Sequence, residues 1–318
     1  MNELLSILNP DLLNATLRLA TPIILAAVGA VICEKSGIIN IAMEGLMLFG
    51  AFFAVYIALI TDNPWMGILG GALGGGLLSL LHAWASITLH LNQVVSGAVI
   101  NILAFGTTQF LMVLCYGHPG TSDLLEVSLA EYRWEIPGLA AIPAIGQVLF
   151  NQTPIVYLTM ALVALTAWTM TKTTFGLHVR AAGERPLALE TLGKSVKQVR
   201  YLAVLISGLM SGLAGAFLSI ENGSSFTAGM TGGRGFIALA ANISGGWSVP
   251  GAFVASLAFG FVDALQLRLQ VVAAITIPPE LFLIFPYIIA ILAVAGLVKR
   301  SRAPADLGNA FAVEGESG

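Results

Sequence analysis

The chain is poor in charge. Only 10% of its 318 residues are Asp, Glu, Lys or Arg, where a soluble domain carries about 25%, so an ordinary soluble fold is excluded. The net charge of −3 gives no basic excess for nucleic acid, and no such partner is expected. The four histidines, His82, His90, His118 and His178, are scattered. None forms HExxH, no paired carboxylates accompany them, and no GxSxG is present. Cys33 and Cys115 lack CxxC or Cys/His spacing and read as small buried thiols. No TVGYG-like filter points to a channel, and no basic n-region points to a cleavable signal peptide. One stretch, ALETLGKS at 188–195, approaches the phosphate-cradling GxxxxGK[ST] loop, but Ala188 replaces its first glycine and no Val/Ile strand leads into it. No enzyme, cofactor, metal site or self-contained ATPase is expected.

What is abundant is apolar sequence: 57% of residues are hydrophobic and 35 are glycine, which lets membrane helices approach closely. Runs of about 20 apolar residues cross a hydrocarbon core. The candidates are 12–32, 37–60, 66–89, 94–116, 153–171, 201–220, 236–248, 250–267 and 281–298. The expected fold is all-α, a polytopic membrane protein of about 9 (8–10) helices. The run 236–248 is short for a crossing and holds Asn242 and Gly245-Gly246, so a broken helix is the alternative there.

Charge asymmetry orients the spans. The loop 172–200 holds six Lys or Arg, and Lys299, Arg300 and Arg302 follow the last span, while 117–152 holds only Arg133 against four carboxylates. Residues 172–200 and the C-terminus are expected on the cytoplasmic side and 117–152 outside, as a cap over the outer mouth. Parity then makes 236–248 a crossing and puts the N-terminus outside. Residues 1–303 read as one transmembrane domain and 304–318 as a flexible tail.

Polar residues inside spans normally face a cavity or another helix. They are Asn40, Glu44, Asn92, Gln93, Asn101, Gln109, Glu221, Asn242 and Asp263. For the amides the plainer role is an interhelical hydrogen bond; Glu44 reads either as a pathway group or as a surface charge beside Lys35, and Asp263 as a partner for Arg268. GAFFAV at 50–55 and GAFVAS at 251–256 match, each preceded by a glycine-led, Asn-containing stretch, GIINIAMEG and GFIALAANISGG. Interrupted segments in matching halves can mark inverted repeats around a central site.

The exception to all this greasiness is GLHVRAAGERPLALETLGKSVKQVR, residues 176–200. Pro186 suits a first helical turn and Gly193 the position past the end. The helix between them has Ala188, Leu189 and Leu192 on one face and Leu187, Glu190 and Thr191 on the other. Ser195 can cap the helix that follows. A basic anchor on lipid explains the charge, but a compact helix preceded by small residues also suits docking into a groove on a partner.

Four stretches, EKSGIINIAMEGLMLFGAF (34–52), GLHVRAAGERPLALETLG (176–193), RYLAVLISGLMSGLAGAFLSI (200–220) and GGRGFIALAANISGGWSVPGA (232–252), resemble the permease subunits of bacterial ABC importers. Within the branched-chain amino-acid/ribose permease superfamily they are most similar to the simple-sugar and nucleoside branch. Glu184-Arg185 stand where related permeases often have Glu-Asn. The resemblance covers about residues 20 to 300. It implies a type II importer-like subunit of the bacterial inner membrane. Its implied partners are a cytoplasmic ABC ATPase, a second related permease chain and a periplasmic or lipid-anchored substrate-binding protein. In that reading Gly183, Glu184, Pro186, Ala188, Leu189, Leu192 and Gly193 couple the permease to the ATPase.

A nucleoside suits a pathway rich in amides. Asn40, Asn101, Gln109 and Asn242 supply donors and acceptors, Glu44 a charge, and Phe226 and Phe236 a face for a base or sugar. Ribose or another simple sugar is the alternative substrate. The rivals from other classes are an ion-coupled secondary transporter using Glu44 or Asp263, and a membrane scaffold.

Overall fold

In lipid every backbone polar group needs an internal partner, and the apolar runs accordingly fold as helices. A computed structural model describes residues 10–126, 132–138, 145–272 and 302–311, with residues 129, 140 and 142 and a few positions between 284 and 292. Helix α1 spans Pro10–Lys35, α2 Met43–Thr61, α3 Pro64–Ala83 with a π-helical extension Trp84–Thr88, and α4 Gln93–Tyr116. A short helix, α5 (Ile145–Phe150), and a two-residue antiparallel ribbon, β1 (Trp134–Glu135) with β2 (Asn151–Gln152), follow. Then come α6 (Pro154–Lys172), α7 (Thr174–Glu184), α8 (Pro186–Thr191), α9 (Val196–Ala216, with a π extension Phe217–Asn222), α10 (Arg234–Ser244) and α11 (Val249–Val272).

Short polar residues set the helix starts. Asn63 Oδ1 accepts from the Trp65 amide at 2.9 Å, ahead of Pro64 in the first turn of α3. Asn92 does the same for Val94 and Val95, so this amide, a candidate intramembrane group by sequence, is the N-cap of α4. Ser195 caps α9 through the Gln198 amide, as its position predicts.

Among the described residues seven helices, α1 to α4, α6, α9 and α11, are long and apolar enough to cross a membrane. The expected run 236–248 is α10, whose 11 residues span about 16 Å, half a hydrocarbon core. The run 37–60 becomes helical only at Met43, because residues 36–42 form a non-helical linker that turns at Gly37, φ +98°. The run 281–298 lies almost wholly outside the described residues.

Helix α1 is the axis of the bundle. Its residues from Ala20 to Cys33 are buried, and α6, α9, α10 and α11 pack around it. Helices α2, α3 and α9 meet along a glycine seam: a Cβ on Gly75 would lie 2.5 Å from the Gly212 Cα, a spacing only small residues allow. Helix α4 flanks this group with much of its surface open, and Cys115 on it is exposed while Cys33 is buried. Composition made both thiols look buried because a face turned to lipid and a face turned to protein have the same apolar content.

The contacts separate two ends. At one end the segment 117–126 runs along 224–228, with Ser122 N–H on the Phe226 carbonyl and Leu125 N–H on the Ser224 carbonyl, each 2.8 Å. At the other end lie the close of α1, the start of α9, helices α7 and α8, and residues 302–311. Of the tail 304–318, expected to be flexible, the described part to residue 311 is held: the Asp306 amide donates to the Gly183 carbonyl at 2.8 Å and the Gly308 amide to the Gly37 carbonyl at 3.0 Å.

Candidate functional site

Buried non-helical backbone needs partners from the protein around it, and the linker 36–42 takes them from three helices. From α3, His82 sets Nε2 3.0 Å from the Ile39 carbonyl. Its Nδ1 lies 3.0 Å from the Ser96 hydroxyl, a network that assigns the proton to Nε2. From α4, Gln93 Oε1 accepts from the Ile39 amide at 2.7 Å. Asn101 bridges the linker and α2: its Nδ2 donates to the Ile41 carbonyl and its Oδ1 accepts from the Gly45 amide. From α9, Ser207 accepts from Asn40 Nδ2 at 2.9 Å.

The half-helix α10 is held at both ends by carboxylates that flank this linker. At its start, Glu44 Oε1 accepts from the Thr231 hydroxyl at 2.6 Å and the Gly233 amide at 2.8 Å, and Oε2 from the Gly235 amide at 2.8 Å. An anion there also meets the positive end of the helix dipole. At its close, Glu34 Oε2 accepts from Asn242 Nδ2 at 2.7 Å and from Trp247 Nε1 at 2.6 Å. Trp247 adopts φ +51°, a conformation uncommon outside glycine and held here by that bond. The linker and α10 therefore lie side by side in opposite directions, fastened at Glu34 and Glu44. These are the two glycine-led stretches that match in sequence; they pack together, but one is extended and the other helical.

A second joint ties the linker to α7. Gly183 lies so close to the Lys35 carbonyl that no Cβ fits, and its Cβ position is 3.1 Å from the Gly37 amide. Arg200, 2% exposed, locks the joint from α9. Its guanidinium donates to the carbonyls of Ser36 at 3.0 Å, Ala182 at 3.2 Å and Asn309 at 3.2 Å, and pairs with Asp306 at 2.6 Å. Helix α7, the linker and α10 are thus joined in series by direct contacts.

Residues 12–294 match the family described as "Branched-chain amino acid transport system / permease component". The guanosine ABC transporter permease protein NupQ of Bacillus subtilis is 39% identical over 310 residues, 95% of each chain. This chain belongs to that permease family. The nucleoside ABC transporter permease protein NupC of Lactococcus lactis is 36% identical over 293 residues, 90% of this permease and 91% of that one. A putative glucose ABC transporter permease protein of Haloferax volcanii is 36% identical over 261 residues, 81% and 78% of the two chains. In the first two organisms a second guanosine or nucleoside permease also matches, at 25% and 26% identity.

The permease divides its sequence-predicted residues into two groups. Asn40 and Asn242, each 0% exposed, bond within the protein, Asn40 from the linker to α9 and Asn242 from α10 to α1, and Asn101, half-buried, makes two more bonds. Phe226 is buried with its ring 5.4 Å from that of Phe52, edge to face. Glu44 is a helix cap and not a surface charge beside Lys35. Phe236 keeps an open face on α10, and Gln109 is half-buried on α4. Arg268 pairs with Asp11 at 3.5 Å instead of with Asp263, whose charge feels Arg234.

In the basic loop α8 runs between Pro186 and Gly193 as predicted, with Gly193 at φ +72°. The faces differ from the helical-wheel reading. Leu189 turns inward onto Ala182 and Val196, while Leu187, Ala188 and Leu192 are exposed with Glu184, because the chain bends at Arg185 and docks α8 by that one leucine. Sequence reasoning missed Glu34 and Arg200. Each stands just beyond the end of an apolar run, where Arg200 counts with the basic loop 172–200 and Glu34 stands only within the stretch 34–52.

Replacing Glu44 with alanine removes the acceptor of three hydrogen bonds and leaves two backbone amides without one. Hydrogen bonds to charged groups contribute about 1.5–3 kcal/mol, so the detergent-solubilised variant is expected to unfold at a clearly lower temperature. Glu44→Gln, which keeps one acceptor oxygen, should fall between. A melting curve for Glu44→Ala that overlays the wild type would contradict the cap.

Proposed function

We propose that this chain is the pore-forming permease subunit of an ATP-driven ABC importer for nucleosides. The observation that carries it is the match, along nearly the whole chain, to permeases named for guanosine and for nucleosides. In this reading residues 1–303 form one permease unit of the bacterial cytoplasmic membrane, with the basic loop and C-terminus on the cytoplasmic side and 117–152 outside. The ATPase is a separate subunit that docks on the exposed Leu187, Ala188 and Leu192 face of α8. Matches at two levels of identity within one organism support a second permease chain as partner. A substrate-binding protein delivers the nucleoside to the end capped by 117–126. Gln109 and Phe236, which keep open or half-open faces, are the pathway groups best suited to meet it.

The second reading is a simple sugar carried the same way, and the glucose permease relative favours it. Ion coupling is less favoured, because Glu44 is committed to three donors. The test is uptake by proteoliposomes holding the complete transporter, with labelled guanosine or glucose. Guanosine uptake that needs ATP and survives an ionophore is expected. Glucose uptake without guanosine uptake selects the sugar reading, and ATP-independent, ionophore-sensitive uptake overturns both.

A further inference from the structure

At the basic-loop end a pocket of about 460 Å³ opens between the close of α1, the close of α6, helix α7 and the α10–α11 turn. Three cations line it, Lys35, Lys172 and Arg180, and no carboxylate does. None of the three is ion-paired among the described residues, where the salt bridges are Arg200 with Asp306 and Arg268 with Asp11. Glu184 acts on Lys35 electrostatically from outside the pocket. Glu34 lies behind Trp247 and turns its carboxylate to Asn242 and the indole N–H. The rest of the wall is mostly apolar, with Val31, Met170 and the exposed Trp168, beside the hydroxyl residues Thr171 and Ser248. A larger groove between α3, α6 and α9, about 520 Å³, has no charged side chain at all. A smaller cleft beside Lys197 and Arg200 also holds Glu190, so of these three hollows only this one gathers several cations with no carboxylate.

Three like charges around one hollow repel each other unless an anion lies between them. Basic pockets between membrane helices, with an apolar wall for an acyl chain and an indole at the headgroup level, suit anionic lipids. We propose that this pocket binds one anionic phospholipid, its phosphate among Lys35, Lys172 and Arg180 and an acyl chain along Val31, Met170 and Trp168. The lipid would touch α7 and the turn after α10, the outer members of the joint described above.

The experiment uses the assembled transporter in mild detergent with an equimolar mixture of phosphatidylglycerol and phosphatidylcholine, and native mass spectrometry to count retained lipid. Selective retention of phosphatidylglycerol is expected. In Lys172→Gln/Arg180→Gln, whose side chains are exposed, Arg180 donating to the Gly176 carbonyl of its own helix, the preference should fall roughly 10- to 30-fold. Lys194→Gln/Lys197→Gln removes the same charge from the same end, outside the pocket, and should keep the preference. Equal loss in both double variants would mean diffuse surface attraction and overturn the site, as would equal retention of the two lipids in the wild type. Displacement of phosphatidylglycerol by millimolar inorganic phosphate would identify a free-anion site and overturn the lipid assignment.

Discussion

Arg200→Ala is expected to be the most destabilising single substitution at this end of the permease. The side chain is enclosed, and its loss strands the carbonyls of Ser36, Ala182 and Asn309 and leaves Asp306 without its partner. Leaving a buried acceptor unsatisfied costs about 1–3 kcal/mol, and three carbonyls lose their donor here. Thermal unfolding in detergent should drop steeply, and the amount of folded protein recovered from membranes should drop with it. Arg200→Lys should rescue little, since one ammonium cannot present the planar fork that reaches separate acceptors. Asp306→Asn should be far milder, because Asp306 is 23% exposed and an amide still offers an oxygen to the guanidinium. The comparison separates the hub from its counter-ion. If Arg200→Ala and Asp306→Asn unfold alike, the contribution resides in the ion pair, and the three carbonyl contacts add nothing.

Gly183→Ala should impair transport and Gly183→Val should nearly abolish it. In an exposed helix, glycine to alanine stabilises by about 1 kcal/mol, so the expected sign here is reversed. The reason is the Lys35 carbonyl, which lies where any Cβ would sit. Overpacking of this kind costs about 1–3 kcal/mol, and the structure can relieve it only by moving α7 off the linker. ATP-driven uptake should fall at least about tenfold for valine, while the Arg200 contacts on the neighbouring residue keep the protein folded. The readout that isolates coupling is the ratio of substrate moved to ATP hydrolysed in proteoliposomes. A falling ratio is the expected result. An unchanged ratio with lower protein yield would make Gly183 a folding residue and remove it from the coupling path.

Much of this site was legible in the sequence, and the failures have a common cause. Local signals worked where the physics is local. Pro186 and Gly193 bound α8, and Ser195 caps α9, because those roles depend on a few neighbouring residues. The inward turn of Leu189 and the helix at Thr174–Glu184 were not readable, since both depend on what α7 and α8 dock against. Glu34 and Glu44 stand ten residues apart in sequence but act on opposite ends of a helix some two hundred residues away. An intramembrane carboxylate suggests a ligand when its neighbours are unknown; here the neighbours are backbone amides and an indole. Similarly, Asn40, Asn101 and Asn242 look like groups waiting for a polar substrate until their partners Ser207, Ile41 and Glu34 are seen.

Residues 302–311 supply Asp306 and Asn309 to Arg200 and an amide to the Gly183 carbonyl, and they are translated after every helix the joint connects. Proteins emerge and fold from the N-terminal side, so α1, α7 and α9 reach the membrane while the buried guanidinium still lacks its counter-ion. The joint closes only when these late residues arrive. A chain released before residue 302 would carry its helices with the Arg200 guanidinium still lacking Asp306 and Asn309.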